Sequence, residues 1–325
     1  MLGIQGWRRY ICESNVVDHN ISFYGTLETF DKSAAMGPEV KAMFSNSCFG
    51  QFLDVPKVTR SSKIINHLLM RVGYFVGEEE REDTLFIELG GEPRAFTRED
   101  FCSILGLRHG DVPALDYTEP AEGGLFSELF SKGTTNSRVV LTTKLVESQG
   151  WPHEKRVKLL LLHFLFNVLL GAPLGTTIRD WSYVKLVEDL DQFNSYPWGN
   201  VVWKFFVENC RKYVKNVEKK DSKAKINLPS FMYPLQIWAY ETMPVFSTLL
   251  YCERLSDTDV PLMRRWKSTT HVVDNTFSTI SWQSENFVFK PMGEEEVSLK
   301  TMKKTSQPKL KQKVINIDYV FFLWF

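Results

Sequence analysis

Catalysis by a thiol needs a cysteine, a base to deprotonate it and a group to orient the base, and Cys210, His163 and Asp189 offer one of each. The same residues have a plainer use. A cysteine in an apolar stretch acts as a small hydrophobe and a histidine inside an apolar helix is held by a hydrogen bond, so neither is assigned as catalytic. Glu188, Asp189 and Asp191 carry the oxygen chemistry of a divalent-cation site. Helical spacing sends the three carboxylates in different directions, which favours a solvated face with ion pairs to Lys185, and no metal ligand is assigned.

Aromatic and cationic side chains are the other groups that could bind something. Trp181, Trp198, Trp203, Trp238 and Trp266 could stack on bases or fill a partner's groove. Most fall at core spacing and read as packing. Tyr196 and Trp198 belong to the turn-like YPWG and are the pair assigned to a partner surface. Lys300, Lys303, Lys304, Lys309, Lys311 and Lys313 could form a nuclear import signal or an arm that binds phosphates by releasing counterions. The stretch has no arginine and no interleaved aromatic, which is also the pattern of a solvated linker. The phosphate-cradling motifs GxGxxG and GxxxxGK[ST] do not occur, nor do HExxH and GxSxG, so no cofactor is assigned.

Composition sets the frame for these groups. With 325 residues and 43% hydrophobic content, the chain can bury one large core or two ordinary ones. The 39 basic and 39 acidic residues cancel, so the molecule as a whole generates no strong field toward nucleic acid or anionic lipid. Six of those bases but only one acid, Asp318, follow Val297, which makes the body mildly acidic and the tail basic. Five scattered cysteines without a C-x-x-C indicate neither a disulfide framework nor a zinc site, and suit a reducing compartment. The opening MLGIQGWRRYICESN lacks the pattern of a secretory signal, so the sequon at Asn20 carries no weight. Leu159–Leu170 is too short to span a bilayer and contains His163 and Asn167, so it reads as a buried central helix and no membrane partner is expected.

Periodicity predicts the elements that must position these residues. Residues 1–35 show no steady pattern and read as a poorly ordered leader. Pro38 suits the first turn of a helix, and Ser61 or Ser62 can cap another whose stripe is Ile64, Ile65, Leu68, Leu69 and Val72. Leu85, Ile87 and Leu89 alternate, turn at Gly90 and Gly91 and return through Ala95 and Phe96, as a single hairpin. TRED at 97–100 matches a capping box that opens a helix stopped by Gly106. Residues 108–137 read as a long loop around a short helix at 125–130. From Val139 the pattern is helical: Val139–Gln149, the buried helix, one capped by Asp180 and stepping through Trp181, Val184, Val187, Leu190 and Phe193, one from Trp198, and LQIWAYE before Pro244. The fold class expected is mainly α, a multi-helix domain at 36–268 with one small β-hairpin, followed by a basic, low-order tail at 269–325.

Five ordered segments resemble the plant family catalogued as domain of unknown function 1985. They are SCFGQFLDVP at 47–56, the Ser-capped helix at 61–71, the hairpin and helix at 84–107, VEDLDQFNSYPWG at 187–199 and LQIWAYETMP at 235–244. The hairpin-helix unit is also similar to the plant mobile domain, borne on transposable elements. The resemblance implies a transposon-derived plant protein whose relatives often carry a ubiquitin-like (SUMO) protease domain farther along the chain. That chemistry needs a His followed by Trp, a downstream Asp and then a Gln shortly before a Cys; no His here precedes a Trp, and Gln236 lies much too far ahead of the last cysteine, Cys252. The function expected is therefore a non-enzymatic module, intracellular, with the nucleus as the expected compartment, that binds an unidentified protein or, through its tail, nucleic acid. The alternative is the N-terminal part of a SUMO protease protein, since the ending VINIDYVFFLWF suggests a truncated gene model.

Overall fold

The computed structural model describes residues 6–12, 20–27, 30, 36–116, 118, 124–130, 138–171, 182–217, 225–269, 277, 279–282, 284 and 286–292. The strands are β1 (Trp7–Arg9), β2 (Asn20–Phe23), β3 (Val72–Phe75), β4 (Thr84–Leu89), β5 (Glu92–Thr97), β6 (Lys225–Leu228), β7 (Cys252–Arg254) and β8 (Trp266–Ser268). Strands β1, β3, β4 and β5 form an antiparallel sheet in that order, β2 pairs in parallel with β6, and β7 pairs antiparallel with β8. The expectation of one small hairpin is thus overturned, because β4 and β5 are only one half of a four-stranded sheet, with β5 at its edge.

The missing strands were hidden for physical reasons. Val72 fits the helical stripe that begins at Ile64, but the helix stops at Leu69 and Val72 starts a strand that pairs Val72 with Ile87 and Gly73 with Phe86. Gly73 leaves room for the Trp7 ring, which would lie 2.6 Å from a Cβ there. Trp7 in turn packs edge-on against Phe75 and Phe86 and donates from Nε1 to Glu88, which covers the second face of the sheet. A three-residue strand such as β1 carries too little alternation to be seen in sequence, and only pairing defines it. Ile11, Ile21 and Phe30, all from the supposed leader, are buried.

The helices are α1 (Pro38–Ser45), α2 (Ser62–Leu69), α3 (Arg98–Leu105), α4 (Gly124–Leu129), α5 (Arg138–Glu147), α6 (His153–Phe164), α7 (Ser182–Leu186), α8 (Leu190–Ser195), α9 (Trp198–Val217), α10 (Tyr233–Thr242) and α11 (Val245–Thr248). Ser61 caps α2 by accepting from Ile64 N, and Thr97 and Asp100 form both bonds of the capping box on α3. Gly106 ends α3 at φ 68°, a conformation that favours glycine. The single helix expected through 181–193 is instead two, α7 and α8, because Asp189 caps the backbone at Asp191 and Gln192. Helix α10 is buried on nearly all sides, as a helix at the centre of a core must be. Its Gln236 is satisfied there by Thr59 O, Ser61 N and the Tyr240 hydroxyl.

Helix α6 runs on through a wider turn at Leu165–Leu169, closed by Leu170 N donating to Leu165 O at 2.8 Å. Such turns insert one residue into a helix and rotate the side chains that follow. Around α6 the core is aromatic: Phe164 meets Phe30, Phe44, Phe49 and Phe52. Among the described residues no helix is long and apolar enough to cross a membrane.

Candidate functional site

One polar cluster lies inside this apolar core. Arg138 opens α5, and Thr142 is one turn later on the same face. Opposite them, His163 and Asn167 are one turn apart on α6 and its wide turn. Thr142 Oγ1 is 3.2 Å from His163 Nε2 and accepts from Asn167 Nδ2 at 3.2 Å. Thr142 Oγ1 accepts from Asn167 and keeps both a proton and a second lone pair, so toward His163 Nε2 it can donate or accept, according to the imidazole tautomer. Burial first, and then the Arg138 charge, push the His163 imidazole down to about 4, so it is neutral at physiological pH. Burial alone pulls Arg138 down to about 10, which still leaves it charged.

The cluster is incompletely satisfied. Arg138 is only 3% exposed, yet its Nε and Nη1 have no hydrogen-bond partner, and neither do His163 Nδ1 and Asn167 Oδ1. Buried polar groups are nearly always paired, so four open atoms on three neighbouring residues are unusual. Sequence reasoning noted His163 and Asn167 but missed Arg138 and Thr142. The available signal was an arginine and a threonine four apart at the start of an apolar helix.

A second charged group borders the sheet. Glu80 accepts from Lys215 Nζ at 2.6 Å, lies 3.4 Å from Arg211 Nε and takes the Tyr10 hydroxyl hydrogen bond. Partial desolvation acts upward on Glu80, but hydrogen bonds from Lys215 and Tyr10 and the two cationic charges outweigh it and hold its carboxyl below the usual range. Burial, reinforced by Glu80, pushes the Tyr10 phenol above its ordinary range. The cleft beside these residues encloses about 20 Å³, room for one or two waters rather than a substrate. Its charges satisfy one another and tie the segment after β1 to α9.

The residues singled out from sequence have structural posts. Cys210 is fully buried, and desolvation raises its thiol above the ordinary range. Desolvation also pushes Cys48, Cys102 and Cys252 up to about 12. Asp189 is the cap of α8, and backbone hydrogen bonds from that helix hold its carboxyl low. Glu188 accepts from Leu125 N at 2.6 Å and so caps α4. Among the described residues no hydrogen bond joins any two of Cys210, His163 and Asp189, and no group of acids, cysteines and histidines could hold a metal ion.

Tyr196 and Trp198 require a correction, because neither presents a face to a partner. Both are buried, and Trp198 Nε1 donates to Phe193 O at 2.8 Å. The YPWG turn folds inward because Gly199 N donates to Arg108 O at 2.7 Å, which seats the indole against Phe49, Phe193 and Tyr183. Trp203, Trp238 and Trp266 are also core residues, whereas Trp181 and the six tail lysines lie outside the described residues.

Comparison with known proteins adds one relationship. No curated protein and no solved structure matches the chain. Residues 77–209, from the turn before β4 through most of α9 and including the whole Arg138–Thr142–His163–Asn167 cluster, match the model of the family described as Domain of unknown function (DUF1985).

Proposed function

We propose that the chain is a non-enzymatic interaction module of a transposon-derived plant protein, acting in the nucleus to recruit a protein or nucleic-acid partner. The observation that carries this reading is the structural employment of its reactive groups. Cys210 is core, His163 is a neutral core hydrogen-bonding group, and Asp189 and Glu188 are helix caps. Segregated charge supports a polyanion as one partner, since six lysines and one acid follow Val297.

Fluorescence anisotropy with DNA and RNA, at several salt concentrations, tests the reading on the full chain and on one ended at Met292. Binding that requires the tail and falls steeply with salt is the expected result. Binding that survives the truncation would move recognition to the helical body. If neither chain binds nucleic acid and proximity labelling in plant cells recovers no reproducible partner, the module reading fails.

The resemblance to SUMO-protease-linked relatives supports a second reading, in which this chain is the N-terminal part of such a protein. It rests on that resemblance alone, since no His-Trp pair occurs in these 325 residues. The downstream genomic sequence decides: a His-Trp pair followed by a Gln shortly before a Cys is expected, and an intervening stop codon with no such pair beyond it removes the idea.

A further inference from the structure

We propose that Arg138, together with His163, forms a buried receptor for a small carboxylate. Arg138 leaves two hydrogen-bond donors open in the core, Nε–H and Nη1–H, and His163 Nδ1 is likewise without a partner. In the tautomer in which Thr142 donates to His163 Nε2, the imidazole proton lies on Nδ1 and adds a third donor. One positive charge accompanies them, and no carboxylate among the described residues pairs with it. Water could complete the hydrogen bonds but would leave a guanidinium uncompensated at 3% exposure, an arrangement that proteins avoid. A carboxylate satisfies donors and charge together, and planar oxygens match a guanidinium better than a spherical ion does. The inserted residue of the wide turn after α6 helps set the site by rotating Asn167 onto Thr142. This inference stands apart from the module reading and survives if that reading fails.

The carboxylate could come from a free acid or from the chain itself, and the test separates the two. Glu28 and Asp31 flank Phe30 in sequence, and the Phe30 ring lies 6.1 Å from His163. Acetate is titrated into the full-length chain in anion-poor buffer while the His163 ring nitrogens are followed by NMR and the melting temperature is recorded. The expected result is a saturable shift of the His163 signals with a matching rise in melting temperature, both lost in Arg138→Met. If that variant does not fold, His163→Phe keeps a ring in the core and removes one donor. Its affinity for acetate, read from melting temperature, is expected to fall about tenfold. A wild-type chain that ignores acetate overturns the proposal, as does an equal response in Arg138→Met. A chain that responds only after Glu28→Gln or Asp31→Asn supplies its own carboxylate, which also overturns the external ligand.

Discussion

His163 shows how one residue's surroundings become a property of the whole chain. Its neutral form is enforced by burial and by Arg138, the charged group that acts on it. In the unfolded chain its pKa returns to the ordinary 6.5, against about 4 in the folded chain. Between these values the unfolded chain binds the proton more tightly. The stabilisation is therefore complete above pH 6.5 and is lost as pH falls toward 4, a total on the order of 3 kcal/mol. Urea midpoints measured from pH 8 to pH 4 in anion-poor buffer are expected to fall more steeply for wild type than for His163→Gln, and parallel curves would refute the assignment. That His163 is a buried, hydrogen-bonded core residue was legible in the sequence, because it sits in an unbroken apolar run. Its partner Thr142 was not, since a contact between two helices has no signature within either one.

At the scale of elements, the segments that resemble a known family meet one another in space. Phe49 of SCFG touches Trp198 of YPWG, Cys48 N donates to Asn194 Oδ1 at 2.9 Å, and Phe96 of the hairpin touches Trp238 of LQIWAYE. Gly199 is a joint of this assembly. A Cβ there would lie 2.5 Å from Cys102 Sγ and 2.7 Å from Arg108 O, so α9 could not approach the end of α3 so closely. Gly199→Ala should cost about 1–3 kcal/mol, as overpacking does, seen as a lower denaturant midpoint at unchanged slope. Adding Cys102→Ala relieves the sulfur contact but not the carbonyl contact and should restore only part of the loss. The capping box, the Ser61 cap and the Gly106 stop were all readable, because each is a local bond between a side chain and a nearby backbone group. The break between α7 and α8 was not readable, since apolar residues spaced by three and four also describe one longer helix.

At the scale of the molecule, the unit Met1–Met292 extends past both ends of the domain drawn from sequence at 36–268. On the amino-terminal side it includes β1, β2 and the buried Ile11, Ile21 and Phe30. On the other side it includes Phe277, Ile280 and Trp282, with Trp282 N held by Ile280 O and Gly90 N donating to Trp282 O. A chain begun at Met36 loses two strands, β1 and β2, and three buried apolar side chains, each worth roughly 1.5–3 kcal/mol. It is expected to be insoluble or to melt well below the full chain, whereas a chain ended at Met292 should keep the full-length melting temperature. Equal melting temperatures for all three chains would contradict this boundary.

The sequence by itself determined the helices with strong stripes, the capped helix ends, the β4–β5 hairpin and the core role of most tryptophans. These follow from bonds and periodicities that span a few residues, where local chemistry suffices. Only the tertiary structure decided that the sheet has four strands, that Trp198 and Tyr196 turn inward, and that Arg138 and His163 share one unsatisfied polar cluster. Each of these depends on residues far apart in the chain: Trp7 with Phe75, Gly199 with Arg108, and Arg138 with the far end of α6. A short strand or a buried charge takes its meaning from the element packed against it, and sequence spacing does not encode that neighbour.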